Sequence, residues 1–479
     1  MDNWSRRRLL SALPALPLFG SSGQAAPKRR GLRAGAATAN ITLPIGANNG
    51  GIILRGSPAE QVHDELHARC LVIENDAARI AMVICDLRMI SRELVNRAKE
   101  LAATSLGWST DCILVAATHT HAAPGLVNIQ QREIDRWYVD FVVLRIADAI
   151  RRAAAQLVPA TIGWGSISKP EHVFNRRWKV KPNTAPMNPF GDTSDAVVMN
   201  PSASQKIVEP AGPVDPELSI LSLQHADGRP LAVLANYGLH FVGGYTSGSV
   251  SADYFGVFAE RLGRLLGGET DAPPFVGMMS NGASGDVNNV NRLMTMERSP
   301  PWQKMQSVAE DLAQAAAQIC HNIQYRDDVN LAVVTRELEL SVRRPDEARL
   351  RWAREVLSGV KDRDKLTRPQ VYAEEALALA EGPERVSVLL QAIRIGELGI
   401  AAIPCEVFAE TGLEIKGRSL LKPTFVIELA NGYNGYLPTP EQHALGGYES
   451  WPARSSYLEV DAAPKIRDGV LDLLKSVAQ

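Results

Sequence analysis

Two histidines, His119 and His121, flank a single threonine shortly after an apolar run at residues 113–117. Residues i and i+2 of a strand point to the same side, so both imidazoles could face one ion, or one could bind a metal while the other meets a substrate. Histidine is the commonest metal ligand, but paired histidines also occur in loops without a chemical role. The spacing alone leaves all three interpretations open.

Other polar segments also follow apolar, strand-like runs. His240 follows residues 231–239, Glu406 follows residues 400–405, and residues 431–436 follow residues 425–429. The small residues at 280–287 would let backbone amides approach a ligand closely. Loops at one edge of a sheet gather into sites, so we expect these segments to meet. Taken singly, each is better explained by a hydrogen-bonded structural residue.

The elements that must position these segments alternate between strands and helices. We predict strands at 69–74, 78–86, 113–117, 161–167, 218–224, 231–237, 275–279, 331–342, 387–395 and 400–403, and helices at 92–103, 134–156, 255–266, 302–323, 345–380 and 463–477. The polar segment 179–212 is predicted to be a loop or a lid. No sequence repeat or Pro/Gly/Ser-rich linker divides the chain, which favours one large α/β domain with a mixed sheet and flanking helices.

Composition is that of an ordinary globular protein. The chain has 479 residues, 45% of them hydrophobic, and a formal charge of -2. No long basic run occurs beyond the amino terminus, which argues against nucleic acid as a partner. The five cysteines are scattered and form no Cys-x-x-Cys pair, so we predict that they are core residues rather than zinc ligands.

Residues 1–26 are predicted to be an export signal. Residues 5–10 read Ser-Arg-Arg-Arg-Leu-Leu, an apolar stretch continues to residue 19, and small residues follow. The order resembles a twin-arginine signal, with leucine where the strongest examples carry phenylalanine. The apolar stretch is too short to span a bilayer. We therefore expect cleavage and export to the periplasm or the medium, with residues 27–479 as the functional domain.

Several motifs, in this order, resemble those of the neutral ceramidase (neutral/alkaline non-lysosomal ceramidase) family. The resemblance extends from about residue 35 to residue 457 and is carried by residues 117–125 (Ala-Thr-His-Thr-His-Ala-Ala-Pro-Gly), Asn175-Arg176, Leu239-His240, Gly285-Asp286-Val287, Pro404-Cys405-Glu406, residues 431–441 and Tyr448-Glu449. It implies the fold of the family's catalytic amino-terminal domain. The family's ceramidases continue into a carboxy-terminal β-sandwich, which we expect to be absent from this chain.

The resemblance also implies a ligand set and a substrate site. One zinc ion per chain would be held by His119, His240, Glu406 and Tyr436, a nitrogen and oxygen set compatible with zinc if tyrosine binds as the tyrosinate. The substrate carbonyl would meet the residues that match the lining positions of the family site, namely His121, Arg176 and Tyr448. His121 is the first candidate for the general acid or base. Asp253 is a weaker one and is otherwise expected to cap a helix or to support His240.

Two positions depart from the family pattern. Asn288 stands where the family's Gly-Asp-Val-Ser-Pro-Asn motif has a serine implicated in catalysis. An amide is not a nucleophile, so the attacking group is expected to be a water activated by the metal, with Asn288 at most orienting water or substrate. Asn175-Arg176 is followed by Arg177-Trp178 instead of Ser-Pro, which we expect to change the wall of the pocket.

The leading hypothesis is an exported, zinc-dependent amide hydrolase that cleaves an N-acyl, ceramide-like or other lipid-like substrate, in transient contact with a membrane surface. One alternative keeps the zinc and changes the bond, to an ester or a glycan-derived substrate. The other is a non-catalytic binding protein whose site has decayed. Fold and metal transfer between relatives more readily than specificity does, so the acyl chain, the amine part and the oligomeric state are left open.

Overall fold

The fold is described from a computed structural model. It covers residues 31–49, 58–127, 135–202, 206–268, 273–294, 299–363 and 365–479. The predicted export signal lies outside these residues. Among them, no helix combines the length and the apolar content that crossing a bilayer requires.

The strands of the described residues are short to medium in length. In chain order they are β1 (Arg33–Asn40), β2 (Gln61–Val62), β3 (His67–Glu74), β4 (Arg79–Cys85), β5 (Met89–Ile90), β6 (Ile113–Ala117), β7 (Gly125–Leu126), β8 (Val158–Ser168), β9 (Phe174–Asn175), β10 (Arg177–Val180), β11 (Val197–Met199), β12 (Ile207–Pro210), β13 (Glu217–His225), β14 (Pro230–Tyr237), β15 (Ser249–Val250), β16 (Val276–Asn281), β17 (Val287–Asn288), β18 (Leu331–Ser341), β19 (Arg385–Ile395), β20 (Leu398–Ala402), β21 (Glu406–Val407), β22 (Thr424–Ile427) and β23 (Tyr436–Leu437).

The helices of the described residues are α1 (Arg92–Leu106), α2 (Arg136–Ala155), α3 (Asp253–Leu266), α4 (Gln303–Asn322), α5 (Glu347–Leu357), α6 (Arg368–Glu381), α7 (Ala409–Arg418), α8 (Pro440–Leu445) and α9 (Ala462–Ala478). Local signals set their ends. The Ser91 side chain accepts a hydrogen bond from the Leu94 N–H at the start of α1, and Gly107 ends that helix in the left-handed conformation.

Two sheets face each other. The larger has the strand order β16-β14-β13-β8-β1-β3-β4-β6, with parallel pairs at its two edges and antiparallel pairs between them, and the smaller has the order β18-β19-β20-β22. One apolar core lies between them and includes Met82 and Leu234 from the larger sheet and Ile400 and Phe425 from the smaller. The predicted α/β class with a mixed sheet is confirmed, with two facing sheets.

Helices cover the outer faces of both sheets, which confirms the predicted flanking helices. Helices α1 and α2 pack on one half of the larger sheet, and α3 and α4 pack on the other half. Helices α7 and α9 cover the outer face of the smaller sheet. The result is a four-layer arrangement of helices, two sheets and helices.

The two edge strands of the larger sheet, β6 and β16, are brought together by the segment that follows β22. The Ala117 N–H donates to the Leu429 carbonyl at 3.3 Å, and the Glu428 N–H donates to the Asn281 carbonyl at 3.2 Å. Residues 428–431 therefore join the ends of both edge strands. This closure places the loops after β6, β14, β16, β20 and β22 around one point.

One predicted helix was wrong, and one predicted loop contains short strands. The charged stretch at 345–380 forms two helices, α5 and α6, because Gly359 adopts φ +82° after α5 and a capping box at Thr367 starts a new helix with proline in its first turn. The segment 179–212, predicted to be a loop or a lid, contributes strands to a three-stranded sheet in the order β11-β10-β12. These strands are too short for their alternation of buried and exposed residues to be recognised from the sequence without the partner strand.

Candidate metal centre and active site

His119 is held at the end of β6 in a left-handed backbone conformation, with φ +70°. Few residues other than glycine adopt this conformation, and such strain is concentrated at functional sites. The His119 Nδ1 donates to the Arg88 carbonyl at 2.7 Å. A carbonyl only accepts, so the lone pair of this ring must lie on Nε2.

His240, which follows β14, is fixed in the same tautomer. Its Nδ1 donates to the Ser284 carbonyl at 3.1 Å. The Ser284 hydroxyl donates to Glu428 at 2.6 Å, and the same carboxylate accepts the N–H groups of Ser284 and Val407. The buried Glu428 carboxylate therefore orients Ser284, and Ser284 in turn orients the His240 imidazole.

Three imidazole nitrogens and a carboxylate oxygen converge. The His119 Nε2 lies 3.0 Å from the His240 Nε2 and 3.2 Å from the His121 Nε2. The Glu406 Oε2 lies 3.3 Å from the His119 Nε2 and 3.7 Å from the His240 Nε2. Lone pairs from His119 and His240 thus face each other, and such an arrangement is repulsive unless a cation lies between them.

The chemistry of this donor set fits a metal ion. The Glu406 Oε2 is buried and has no hydrogen-bond partner in the described part of the chain, which is costly for a carboxylate. Burial lowers the pKa of His240 and of His121 well below the usual value, which favours the neutral imidazole that a metal ligand requires. His119, His121 and His240 form a group with metal-ligand spacing. Imidazole and carboxylate ligands at this spacing suit a divalent cation of the first transition row or zinc.

Tyr436 lies beside Glu406 because β21 and β23 pair in parallel with these two residues in register. Burial and the Glu406 carboxylate raise the pKa of Tyr436 well above the usual value, although the Arg176 guanidinium acts in the opposite direction. A tyrosinate here would therefore need a cation beside it. The Tyr433 hydroxyl donates to the Glu406 Oε1 at 3.0 Å, which leaves Oε2 for the metal.

Arg176 belongs to a buried cluster of three charges. Its Nε donates to one oxygen of Glu449 at 2.8 Å, and the Arg177 Nη1 donates to the other oxygen at 2.7 Å. The Arg176 guanidinium lies 5.4 Å from the ring centroid of Tyr436. Its Nη2 is buried and finds no hydrogen-bond partner within the residues that the structure describes. The cluster carries one positive charge in excess and an unused donor beside the metal group.

Arg177 does not change the pocket wall as predicted. It is fully buried, and its Nη2 donates to the carbonyls of Gln442 and Gly446 at 3.2 and 2.8 Å. Trp178 is also buried. Arg177 therefore supports the segment that carries Tyr448 from the inside, because its donors are taken by two backbone carbonyls, by the Gln442 side chain and by Glu449.

Tyr448 reaches both the metal group and a cavity. Its ring centroid lies 5.8 Å from that of Tyr436. On its other side is a largely apolar cavity of about 520 Å³, which we call the Tyr448 cavity; its wall includes Val197, Met199, Val371, Tyr372 and Trp451. This volume is typical of a small-molecule site.

Asn288 is placed close to the Arg176 segment through the pairing of β17 with β9. Its Nδ2 donates to the Asn200 Oδ1 at 2.5 Å, and its Oδ1 accepts the Val290 N–H at 3.0 Å. Both ends of the amide have partners within the protein. Its predicted role in orienting water or substrate stays a prediction.

Asp253 does not contact the His240 ring, whose Nδ1 is bonded to Ser284. With φ +54°, it begins α3 and accepts the N–H groups of Val242, Gly243 and Tyr254. Burial raises its pKa to about 6. Asp253 thus holds the backbone that follows His240.

Sequence reasoning missed five residues that support the site: Arg88, Ser284, Glu428, Tyr433 and Glu449. Signals for most of them were present. Glu428 is a charged residue directly after an apolar strand, Glu449 adjoins Tyr448, and Ser284 and Tyr433 lie inside segments already recognised. Arg88 accepts from His119 through its backbone carbonyl, which no residue type reveals, and its Nη2 donates to the His121 carbonyl at 2.7 Å.

Two solved structures share this fold. The neutral ceramidase from Pseudomonas aeruginosa matches with a TM-score of 0.67 and 18% identity, over 93% of this chain and 74% of that chain. A ceramidase complexed with C2 matches with a TM-score of 0.68 and 18% identity, over 94% and 75%. At this identity the likeness shows the fold alone. A comparison with curated proteins found no match.

The family model of neutral/alkaline non-lysosomal ceramidases, N-terminal, matches residues 34–322. The span contains His119, His121, Arg176, His240 and Asn288, and it ends before Glu406, Tyr436 and Tyr448. The match covers more than half of the chain, and the fold agrees with it. This protein therefore belongs to the neutral/alkaline non-lysosomal ceramidase family.

Proposed function

We propose that this protein is an exported, zinc-dependent amide hydrolase that acts on an N-acyl, ceramide-like compound. The observation that carries the proposal is that three donor atoms converge on one point. They are the Nε2 atoms of His119 and His240 and the unpartnered Oε2 of Glu406. Family membership supports hydrolysis. The neutral imidazoles and the carboxylate support zinc over a hard cation such as magnesium, which prefers oxygen ligands alone.

In the proposed site, His119, His240 and Glu406 hold one zinc ion, with Tyr436 as the fourth ligand. When bound, the ion supplies Lewis acidity that activates water and polarises the substrate carbonyl. Tyr433 keeps one oxygen of Glu406 occupied, so that the carboxylate presents the other. Ser284 and Arg88 hold the two histidine tautomers, so little reorganisation is needed when the metal binds.

Arg176 is the proposed partner of the carbonyl oxygen as that oxygen gains negative charge. Its Nη2 has no hydrogen-bond partner among the described residues, and Glu449 holds the guanidinium through Nε. A preorganised donor of this kind stabilises the developing charge without rearrangement. Tyr448, whose ring centroid lies 5.8 Å from that of Tyr436, is the proposed second donor.

His121 is assigned the proton transfer, because its ring is the third member of the imidazole group and is stacked on Phe241 at a centroid distance of 3.9 Å. The alternative, that His121 is itself a metal ligand, predicts a different outcome. His121→Ala should keep one zinc per chain and lose activity if it moves a proton. Loss of zinc together with activity would assign it to the metal.

A lipid-like substrate implies contact with a membrane surface. Trp137, Phe141 and Leu144 lie at positions i, i+4 and i+7 of α2 and are 52%, 36% and 54% exposed. This spacing places them on one helix face, which suits burial at a lipid interface. Replacing Trp137 and Leu144 together by alanine should weaken sedimentation with neutral lipid vesicles. Leu265→Ala, an exposed leucine on α3, is the control, and unchanged sedimentation of the double variant would remove this assignment.

Export rests on the predicted signal at residues 1–26. The test fuses this segment to a reporter that is active only outside the cytoplasm. Replacing Arg6 and Arg7 by lysine should abolish export through a twin-arginine route. Export that survives this change would indicate ordinary secretion.

Metal analysis tests the centre directly. His119→Ala and His240→Ala should each lose zinc and activity, whereas His321→Ala, at an exposed position on α4, should keep both. Stoichiometric zinc in His240→Ala would show that the ligand set is wrong. Absence of zinc from the purified wild-type protein would favour the decayed binding protein.

A matched substrate panel tests the bond. Ceramides and simpler N-acyl amides should be cleaved, and the corresponding esters and N-acetylated sugars should not. Zinc-dependent cleavage of the esters or sugars alone would keep the centre and replace the proposed substrate.

A further inference from the structure

A second cavity lies close to the Tyr448 cavity and differs from it in charge. It has a volume of about 480 Å³, and its wall includes Phe190, Arg343, Arg344, Asp346, Arg349 and Trp352. We call it the arginine cavity. Three guanidinium groups and one carboxylate line it, so its wall carries two positive charges in excess.

Neither Arg343 nor Arg349 forms a side-chain ion pair among the described residues, although the Asp346 and Asp192 carboxylates act on the Arg349 charge from a distance. The Arg343 side chain donates only to the carbonyls of Leu458, Ser450 and Ser456 and to the Ser456 hydroxyl. Arg349 lies over the ring of Phe190, with its guanidinium carbon 3.9 Å from the centroid. Burial lowers the pKa of Arg343 to about 10 and also lowers that of Arg349. Desolvated cations of this kind are stabilised when an anion binds.

Asp346 offsets one of the three positive charges in the cavity wall, which stays positive. Its Oδ1 accepts the Arg349 N–H at 2.7 Å and caps α5. The carboxylate is thus engaged by backbone at the helix start. Arg344 pairs with Glu384 at 3.0 Å on the exposed side, which leaves Arg343 and Arg349 as the charges available to a ligand.

One face of α6 lines both cavities. Arg368, Val371 and Tyr372 border the Tyr448 cavity, and Ala376 and Leu379 border the arginine cavity. These positions follow the i, i+3, i+4, i+8, i+11 spacing of a single helix face and span about 16 Å. The cavities therefore lie one after the other along the helix.

The boundary between the cavities is apolar and aromatic. Tyr372 contacts Trp451 on one side and Phe190 on the other, each at a centroid distance of 5.6 Å. Glu375, on the same helix face, is paired with Arg454 at 2.7 Å and adds no free charge. Beyond Arg368, a chain that runs along α6 from the Tyr448 cavity thus meets apolar and aromatic surface and then the guanidinium groups of the arginine cavity.

We propose that the arginine cavity binds an anionic group at the distal end of the substrate's apolar chain, so that the preferred substrate is an N-acyl compound whose acyl chain ends in a carboxylate or carries a comparable anion. This inference rests on the proposed function, since it takes the acyl chain to leave the metal centre past Tyr448. Guanidinium groups bind carboxylates with charge-assisted hydrogen bonds, and the Phe190 ring supports the Arg349 plane.

The test compares two products of hydrolysis that differ in the distal group alone. Hexadecanedioate and hexadecanoate are titrated into the zinc-loaded protein by calorimetry. Hexadecanedioate should bind about tenfold more tightly, the effect expected for one added charge-assisted contact. Arg349→Gln and Ala348→Glu should each remove most of this difference and leave hexadecanoate unchanged. Arg351→Gln, exposed on the same helix and outside the cavity wall, is the matched control.

Each result decides the inference. Equal binding of the two acids by the wild-type protein, or an unchanged preference in both Arg349→Gln and Ala348→Glu, overturns it. The proposed function is read separately, from zinc content and from cleavage of a neutral N-acyl amide. A protein that cleaves the neutral amide and shows no preference for the diacid refutes the arginine cavity alone.

Discussion

Glu449→Gln is the sharpest perturbation, because it removes a charge without removing volume. Glu449 is fully buried and bridges Arg176 and Arg177, whose side chains are 6% and 0% exposed. Breaking a buried ion pair from one side costs about 3–5 kcal/mol, because the partner charge is left uncompensated. Here two guanidinium groups lose their anion, and the carbonyls that bind Arg177 offset a part of the loss. We expect the free energy of unfolding to fall by about 3 kcal/mol.

Urea unfolding of the zinc-loaded protein measures this change. Glu441→Gln, an exposed neighbour in α8, should shift the free energy of unfolding by less than about 0.5 kcal/mol. Glu449→Gln should also lower kcat, because Arg176 loses the carboxylate that holds its guanidinium. If Glu449→Gln unfolds at the wild-type urea concentration with an unchanged slope, the charge cluster does not stabilise the fold and the reasoning fails.

The stability difference between the wild type and Glu449→Gln should also depend on pH. Burial raises the pKa of Glu449, but Arg176 and Arg177 outweigh it and hold the pKa below the usual value. A carboxyl with a depressed pKa in the folded state stabilises the protein above its unfolded pKa of about 4.3, and this stabilisation is lost as the pH falls through the folded value. The stability difference between wild type and Glu449→Gln should therefore narrow below about pH 4.

Three further changes probe the surroundings of the metal group. Glu428→Gln places an amide donor against the N–H and O–H groups that now donate to the carboxylate. Zinc affinity, measured by competition with a chelator, should therefore fall by about tenfold or more. Unchanged affinity would rule out the support of His240 through Ser284. Gly285→Ala would place a Cβ 2.6 Å from the Glu406 carbonyl oxygen and should lower the free energy of unfolding by about 1–3 kcal/mol. The control is Gly417→Ala, which has open space around it and should not destabilise the protein. Equal stability of the two variants would contradict the close approach of Gly285 to Glu406. Asn288→Ala should keep one zinc per chain in metal analysis, and zinc loss would make Asn288 part of the centre.

Much of the site could be predicted from residue types and their place along the chain. The apolar run of β6 and the two histidines after it are visible locally, because a strand buried on both faces is continuously apolar. Likewise the runs before His240 and Glu406 marked these residues as loop groups at strand ends. The helix break after α5 was also readable, since Gly359 and the Thr367-Arg368-Pro369 start are local signals.

The sequence by itself determined which groups this protein has for metal and carbonyl chemistry, and that they follow strands. That His119 and Glu406 share one point was implied by the family resemblance and not by residue types or spacing. Only the tertiary structure decided how they meet, that Arg177 is buried, and that one face of α6 lines two cavities. The physical reason is that hydrophobic periodicity indicates which face of a single helix or strand is buried, and not which elements meet. The meeting of β6 and β16 through residues 428–431 depends on long-range hydrogen bonds and on the packing of two sheets, which no local pattern specifies.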